Sequence, residues 1–75
     1  MNKYIYSECS DDEWPIIKSI MANSYNAAVE KLINKFAEKF DDDNILSIDT
    51  HDDLQEYLNG KYNYVISDLE DIEEL

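Results

Sequence analysis

Few residues of this chain carry the side chains that chemistry needs: one histidine, His51, one cysteine, Cys9, and eighteen carboxylates. Nucleophilic catalysis requires a serine or cysteine activated by a base within hydrogen-bond reach. Nothing in the sequence around Cys9 or His51 prepares a nucleophile or an oxyanion hole. His51 is expected at the surface, in the first turn of a short helix, and Cys9 half-buried at a strand end. Gly60 is the single glycine, which excludes the glycine-rich loops that cradle phosphates and dinucleotides. With one cysteine and one histidine, no zinc centre is expected. The strongest metal pattern is a twelve-residue run with Asp41, Asp43, Asp49 and Asp52 at positions 1, 3, 9 and 12 of a calcium loop. Ile45 and Leu46 stand where that loop needs a ligand and a glycine, and Asp52 is shorter than the usual bidentate Glu, so no calcium site is expected. Acid–base work by paired carboxylates needs a pocket that separates two pKa values. Surface acids on so short a chain do not supply one. The expectation is a protein without catalytic residues, metal or cofactor, and so not an enzyme.

The carboxylates themselves are unevenly placed. Formal net charge is −12, of which −1 falls in residues 1–40 and −11 in residues 41–75. The second half groups its acids as Asp41-Asp42-Asp43, then Asp49, Asp52, Asp53 and Glu56, then Asp68, Glu70, Asp71, Glu73 and Glu74. Such a chain is repelled by nucleic acid and by anionic membrane surfaces, because both require a cationic stripe. The nearest approach to one is Lys31, Lys35 and Lys39, four apart. Cations near a helix C-terminus also favour its dipole, and that structural reading is preferred. No apolar run approaches the roughly 20 residues that a membrane span needs. The run after Met1-Asn2-Lys3 is cut short by Ser7, Glu8 and Asp11, so no secretory leader is expected. A lone cysteine fits a reducing compartment, and the expected location is cytoplasmic.

The elements that must position these residues follow from periodicity. A hydrophobic fraction of 44% with six tyrosines argues for a folded chain rather than an acidic tail. Residues 3–8 alternate and are rich in Tyr and Ile, and residues 16–22 open after Pro15. Both read as strands of a hairpin across the polar turn 9–13. A helix beginning at Pro15 is the alternative for the second. Tyr25, Ala28, Val29, Leu32, Ile33, Phe36 and Phe40 recur at three- and four-residue spacing, giving a helix over 25–40 capped by Ser24 or Asn23. Asp41-Asp42-Asp43-Asn44 breaks it. Residues 45–48 read as a brief strand or extended link. Thr50 with Asp53 resembles a capping box for a short helix to about residue 59, with Gly60 as its stop. Residues 62–66 read as a strand. For 67–75, Ser67-Asp68-Leu69-Glu70 favours a last helical turn, with a continued strand as the competing reading. The sum is a single α+β domain over 1–75. It has a small three- to four-stranded, mostly antiparallel sheet with one long helix on a face, ββαβαβ or a close variant.

An ordered surface of carboxylates complements a basic groove and can occupy sites made for phosphates. Tyr57, Tyr62 and Tyr64 lie between the second and third acidic groups. Tyrosine is favoured in interface hot spots, although at least one of the three is expected in the core. The partner-binding residues so expected are Asp41, Asp42, Asp43, Asp49, Asp52, Asp53, Glu56, Tyr57, Asp68, Glu70, Asp71, Glu73 and Glu74.

With these acidic groups, the single-domain length, the helix entry Ser24-Tyr25-Asn26-Ala27-Ala28-Val29-Glu30-Lys31-Leu32 and the closing Asp71-Ile72-Glu73-Glu74-Leu75, the chain resembles a class of small acidic proteins. These are encoded by phages and mobile elements of low-GC bacteria, and include DNA-mimic inhibitors and anti-CRISPR proteins. The likeness is one of style rather than motif. It implies a viral inhibitor of a basic nucleic-acid-binding protein, such as a CRISPR nuclease, acting by blocking its nucleic-acid groove. The alternative is a small interaction or assembly module, as a homodimer or through an apolar sheet face, whose acids serve only solubility.

Overall fold

The computed structural model describes residues 2–10 and 14–72. Its first strand, β1 (Asn2–Ser10), alternates as expected, turning Tyr4, Tyr6 and Glu8 inward. It pairs antiparallel with β2 (Ile16–Ala22) in a register that sets Tyr4 opposite Ile20 and Tyr6 opposite Lys18. The connecting residues Asp11, Asp12 and Glu13 lie outside the described set, as do Glu73, Glu74 and Leu75.

Ser24 caps α1 (Tyr25–Lys39) by accepting from the Ala27 amide. Of the apolar stripe predicted for this helix, Ala28, Val29, Leu32, Ile33 and Phe36 enter the core beside Tyr4, Tyr6 and Tyr64, Phe40 packs half-buried against it, and Tyr25 stays exposed. The helix closes with the Asp42 amide reaching Ala37 O and the Asp41 amide reaching Glu38 O, while Asp41 takes φ 50°. That is a Schellman ending, and Asp tolerates the left-handed conformation better than most residues.

Residues 45–48 are not a strand. A 3-10 turn, Asp43–Ser47, takes their place and drops Ile45 into the core, fully buried. A five-residue link carrying a single core side chain does not need a ladder partner. The second helix, α2 (His51–Tyr62), is capped by Thr50 as the sequence suggests. It does not stop at Gly60. It runs on to Tyr62, and Asn63 at φ 52° makes the exit. The architecture therefore carries two helices rather than one long one.

The chain returns as β3 (Tyr64–Ile66) and β4 (Glu70–Ile72), both antiparallel to β1 along the edge opposite β2. Neither reading of this ending holds: residues 67–69 are neither helix nor continued strand, and a separate strand follows at Glu70–Ile72. The pairs Ser10↔Tyr64 and Glu8↔Ile66 keep one register, while Ile5↔Glu70 and Lys3↔Ile72 are shifted by a residue. One extra residue on the returning side is a β-bulge. Ser67 makes it: its amide donates to Ser7 O at 2.9 Å, and its hydroxyl accepts from the Ser7 amide at 2.7 Å. The bulge flips side-chain parity, so Tyr64, Ile66 and then Leu69 all point inward.

α2 lies along the outer edge of this returning strand. Gln55 Oε1 accepts from the Ile66 amide at 2.7 Å, covering a backbone group that an edge would leave open. The other face of the sheet is uncovered. Ile17, Met21, Val65 and Ile72 are exposed there. The overall dimensions, 38 × 28 × 18 Å, suit a sheet with one helical layer. Among the described residues, no helix is long and apolar enough to cross a membrane.

Candidate functional site

Four of the six lysines are turned onto internal partners. Lys31 Nζ donates to Met21 O and Lys35 Nζ to the Tyr6 hydroxyl, so the row along α1 clamps the helix to the hairpin. Lys35 and Lys39 also sit 3.5 and 3.9 Å from the carboxylate of buried Glu8. Burial alone would lower the Lys35 pKa. The hydrogen bond with Tyr6 and the Glu8 charge outweigh it, and the net direction is upward. Burial is the main reason the Tyr6 pKa is raised.

Lys61 is committed as well, to Asp42. The Asp42 carboxylate is buried and accepts from Tyr62 at 2.6 Å, Tyr57 at 2.7 Å and Lys61 at 3.0 Å on Oδ2, and from the Asn44 amide at 3.0 Å on Oδ1. Those bonds, Tyr62 first, then Tyr57 and Lys61, hold its pKa well below the usual carboxylate range. Lys61 and Tyr62 are raised in return, each chiefly by its bond to Asp42. Tyr62 also stacks on Phe40 with ring centroids 4.2 Å apart. Asp42 is therefore a buried tie between the α1 ending and the last turn of α2, and stands apart from the exposed acidic face. Tyr57 serves both, because its hydroxyl is spent on Asp42 while its ring lines the groove described next.

Three outward carboxylates come together where the 3-10 turn meets α2. Ser47, Ile48, Asp49, Asp53, Glu56 and Tyr57 line an open groove of about 480 Å³. Asp53 and Glu56 are one turn apart on α2, and Asp49 is held across from them by the link that enters the helix. Three carboxylates with an aromatic and an aliphatic wall, and no lysine in the lining, are complementary in charge to a cationic side chain. The Thr50 hydroxyl takes the Asp53 amide, leaving the Asp53 carboxylate free to face outward.

The other expected residues divide. Asp41 and Asp43 are exposed beside the α1 ending, and Glu70 and Asp71 are exposed on β4. Glu73 and Glu74 lie outside the described residues. Asp52 and Asp68 converge instead on His51. The calcium pattern Asp41, Asp43, Asp49, Asp52 does not assemble. Among the described residues, the group of three metal-type ligands is His51, Asp52 and Asp68.

His51 is not at the surface. It is 4% exposed, its Nε2 is 2.8 Å from Ser67 O, and its Nδ1 is 3.3 Å from Asp68 Oδ1. His51, Gln55 and Ser67 are the functional-looking residues that the sequence hides. Each acts across the joint between α2 and the bulge, and no local pattern marks that contact. Cys9 is half-buried at the end of β1, as expected. Comparison with known protein families, curated proteins and solved structures finds no match.

Proposed function

We propose that this chain is a non-catalytic acidic binding protein that engages a basic, nucleic-acid-handling protein and occupies the groove where that partner holds nucleic acid. The observation carrying this reading is the convergence of Asp49, Asp53 and Glu56 with Tyr57 on one groove, while Lys31, Lys35, Lys39 and Lys61 are drawn inward. A lysine or arginine of the partner entering that groove meets carboxylates that give charge-assisted hydrogen bonds, which are about twice as strong as neutral ones. The exposed acids around it, Asp41, Asp43, Asp52, Asp68, Glu70 and Asp71, extend the field and speed encounter. The likeness to phage-encoded inhibitors makes a bacterial defence nuclease the partner class to test first.

The test compares the wild-type protein with the triple variant Asp49→Asn, Asp53→Asn, Glu56→Gln, each immobilised in bacterial lysate at low salt. The expected result is a basic nucleic-acid-binding protein that elutes late in a salt gradient, is displaced by duplex DNA, and is lost from the variant. Capture indifferent to salt, to DNA and to the three substitutions would reject the proposal.

A second reading has its own observation. Ile17, Met21, Val65 and Ile72 on the uncovered sheet face form an apolar surface suited to self-assembly, with the acids serving solubility.

A further inference from the structure

The ring of His51 is fixed in a way that leaves one nitrogen unsatisfied. A backbone carbonyl can only accept, so the 2.8 Å contact with Ser67 O requires Nε2 to donate. In the neutral ring, Nδ1 then presents a lone pair. That atom is buried with no hydrogen-bond partner, yet Asp68 Oδ1 lies 3.3 Å from it. Two electron-rich atoms facing each other across this gap are reconciled either by a proton on Nδ1 or by a metal cation between them. Asp52 supplies a third donor, and the ligand atoms of all three residues lie within 4.8 Å of one another.

We propose that His51 Nδ1, Asp68 and Asp52 form a binding site for one divalent transition-metal ion of the zinc class, at the joint between the α2 N-terminus and the β3–β4 bulge. This goes beyond the acidic-groove reading and does not depend on it. The geometry fits the ion: two atoms each about 2.1 Å from a tetrahedral centre lie about 3.4 Å apart. The 3.3 Å from Nδ1 to Asp68 matches that edge. Asp52 is exposed and free to close the rest. The bond from Nε2 to a backbone carbonyl is the outer-shell support that ligating histidines use to fix ring orientation. An imidazole among the ligands favours zinc, cobalt or nickel over calcium and magnesium, which prefer oxygen alone. The N-terminus of α2 opposes a cation with about +0.5 of a charge, against two full negative charges on Asp52 and Asp68. The carboxylates win. A cavity of about 200 Å³ lined by Tyr25, Asn26, Asp49 and the start of α2 opens onto His51 and Asp52, giving solvent and ions access to these two residues.

The experiment titrates the untagged protein with Zn²⁺ by calorimetry and with Co²⁺ by visible absorption. Wild type is compared with Asp68→Asn, Asp52→Asn and a control carrying Asp41→Asn and Asp43→Asn. Both single substitutions are at exposed positions, and circular dichroism checks that they fold. The expected result is one ion per chain, with His51 ring resonances shifting on Zn²⁺ addition. Each single variant should weaken binding by at least about tenfold, the loss typical of even outer-shell substitutions, while the control is unchanged. No uptake, or undiminished affinity in either Asp68→Asn or Asp52→Asn, overturns the site.

Discussion

The carboxylate of Asp42 takes bonds from two tyrosines, a lysine and a backbone amide, and pH-dependent stability follows from them. In the unfolded chain an aspartate titrates near its ordinary value of about 3.9. In the native state Asp42 titrates lower, held there first by Tyr62. The stabilisation is therefore fully present above the ordinary value, and is lost as pH falls from there through the native one. Asp42→Asn should lower the Tm at neutral pH, and the gap between wild type and variant should shrink steadily as pH falls below about 4. Thermal melts of both proteins across the acid range check this. A gap constant with pH would mean that the ionised carboxylate contributes nothing.

At the scale of elements, Gly60 offers a direct test of where α2 ends. It sits inside the helix at an exposed position, and a methyl group there would meet nothing within 4 Å. Glycine in a helix interior costs about 0.5–1 kcal/mol relative to alanine. Gly60→Ala should therefore raise the Tm by about 2–8 °C in a domain of this size. A lowered Tm would mean that the helix stops at residue 60, as the sequence alone suggests. The long helix, the hairpin and the Thr50 cap were legible because each is declared within a dozen residues by spacing or by a capping side chain. The continuation of α2 past Gly60 was not, because it is driven by what Lys61 and Tyr62 reach: Asp42, across the core. The strand character of 70–72 was masked by the bulge, which breaks the alternation that would announce a strand. In the candidate site, Asp49, Asp53 and Glu56 were readable as members of one acidic group, but their meeting with Tyr57 on a groove was not, because it depends on how the 3-10 turn joins α2. Asp42 was grouped with its exposed neighbours because nothing local separates a tethered acid from a free one. His51 lay beyond reach for the same reason, since its burial depends on Ser67 and Asp68 folding back over it.

For the molecule as a whole, the two functional readings respond to salt with opposite signs. Attachment of an acidic face to a basic partner weakens as ions screen it. Pairing of two chains of net charge −12 through the open sheet face strengthens, because screening relieves their mutual repulsion. Burying one isoleucine side chain contributes about 1.5–3 kcal/mol. If the sheet face is a self-interface, Ile17→Lys should weaken association by about tenfold or more, as read by sedimentation equilibrium at high salt. A monomer at every salt and concentration, for wild type as for variant, would leave the apolar face without a role in assembly.

The central place of β1 in the sheet also sets an order of events during synthesis. Lys3 pairs with Ile72, so one side of β1 stays open until Ile72 has been made. Until then a run of unpaired amides and carbonyls, flanked by Tyr4, Ile5 and Tyr6, is a template for pairing with any neighbouring chain. The carboxylates of residues 41–56 emerge before β3 and β4 close that side. Like charges on neighbouring chains repel, which opposes such pairing during this interval.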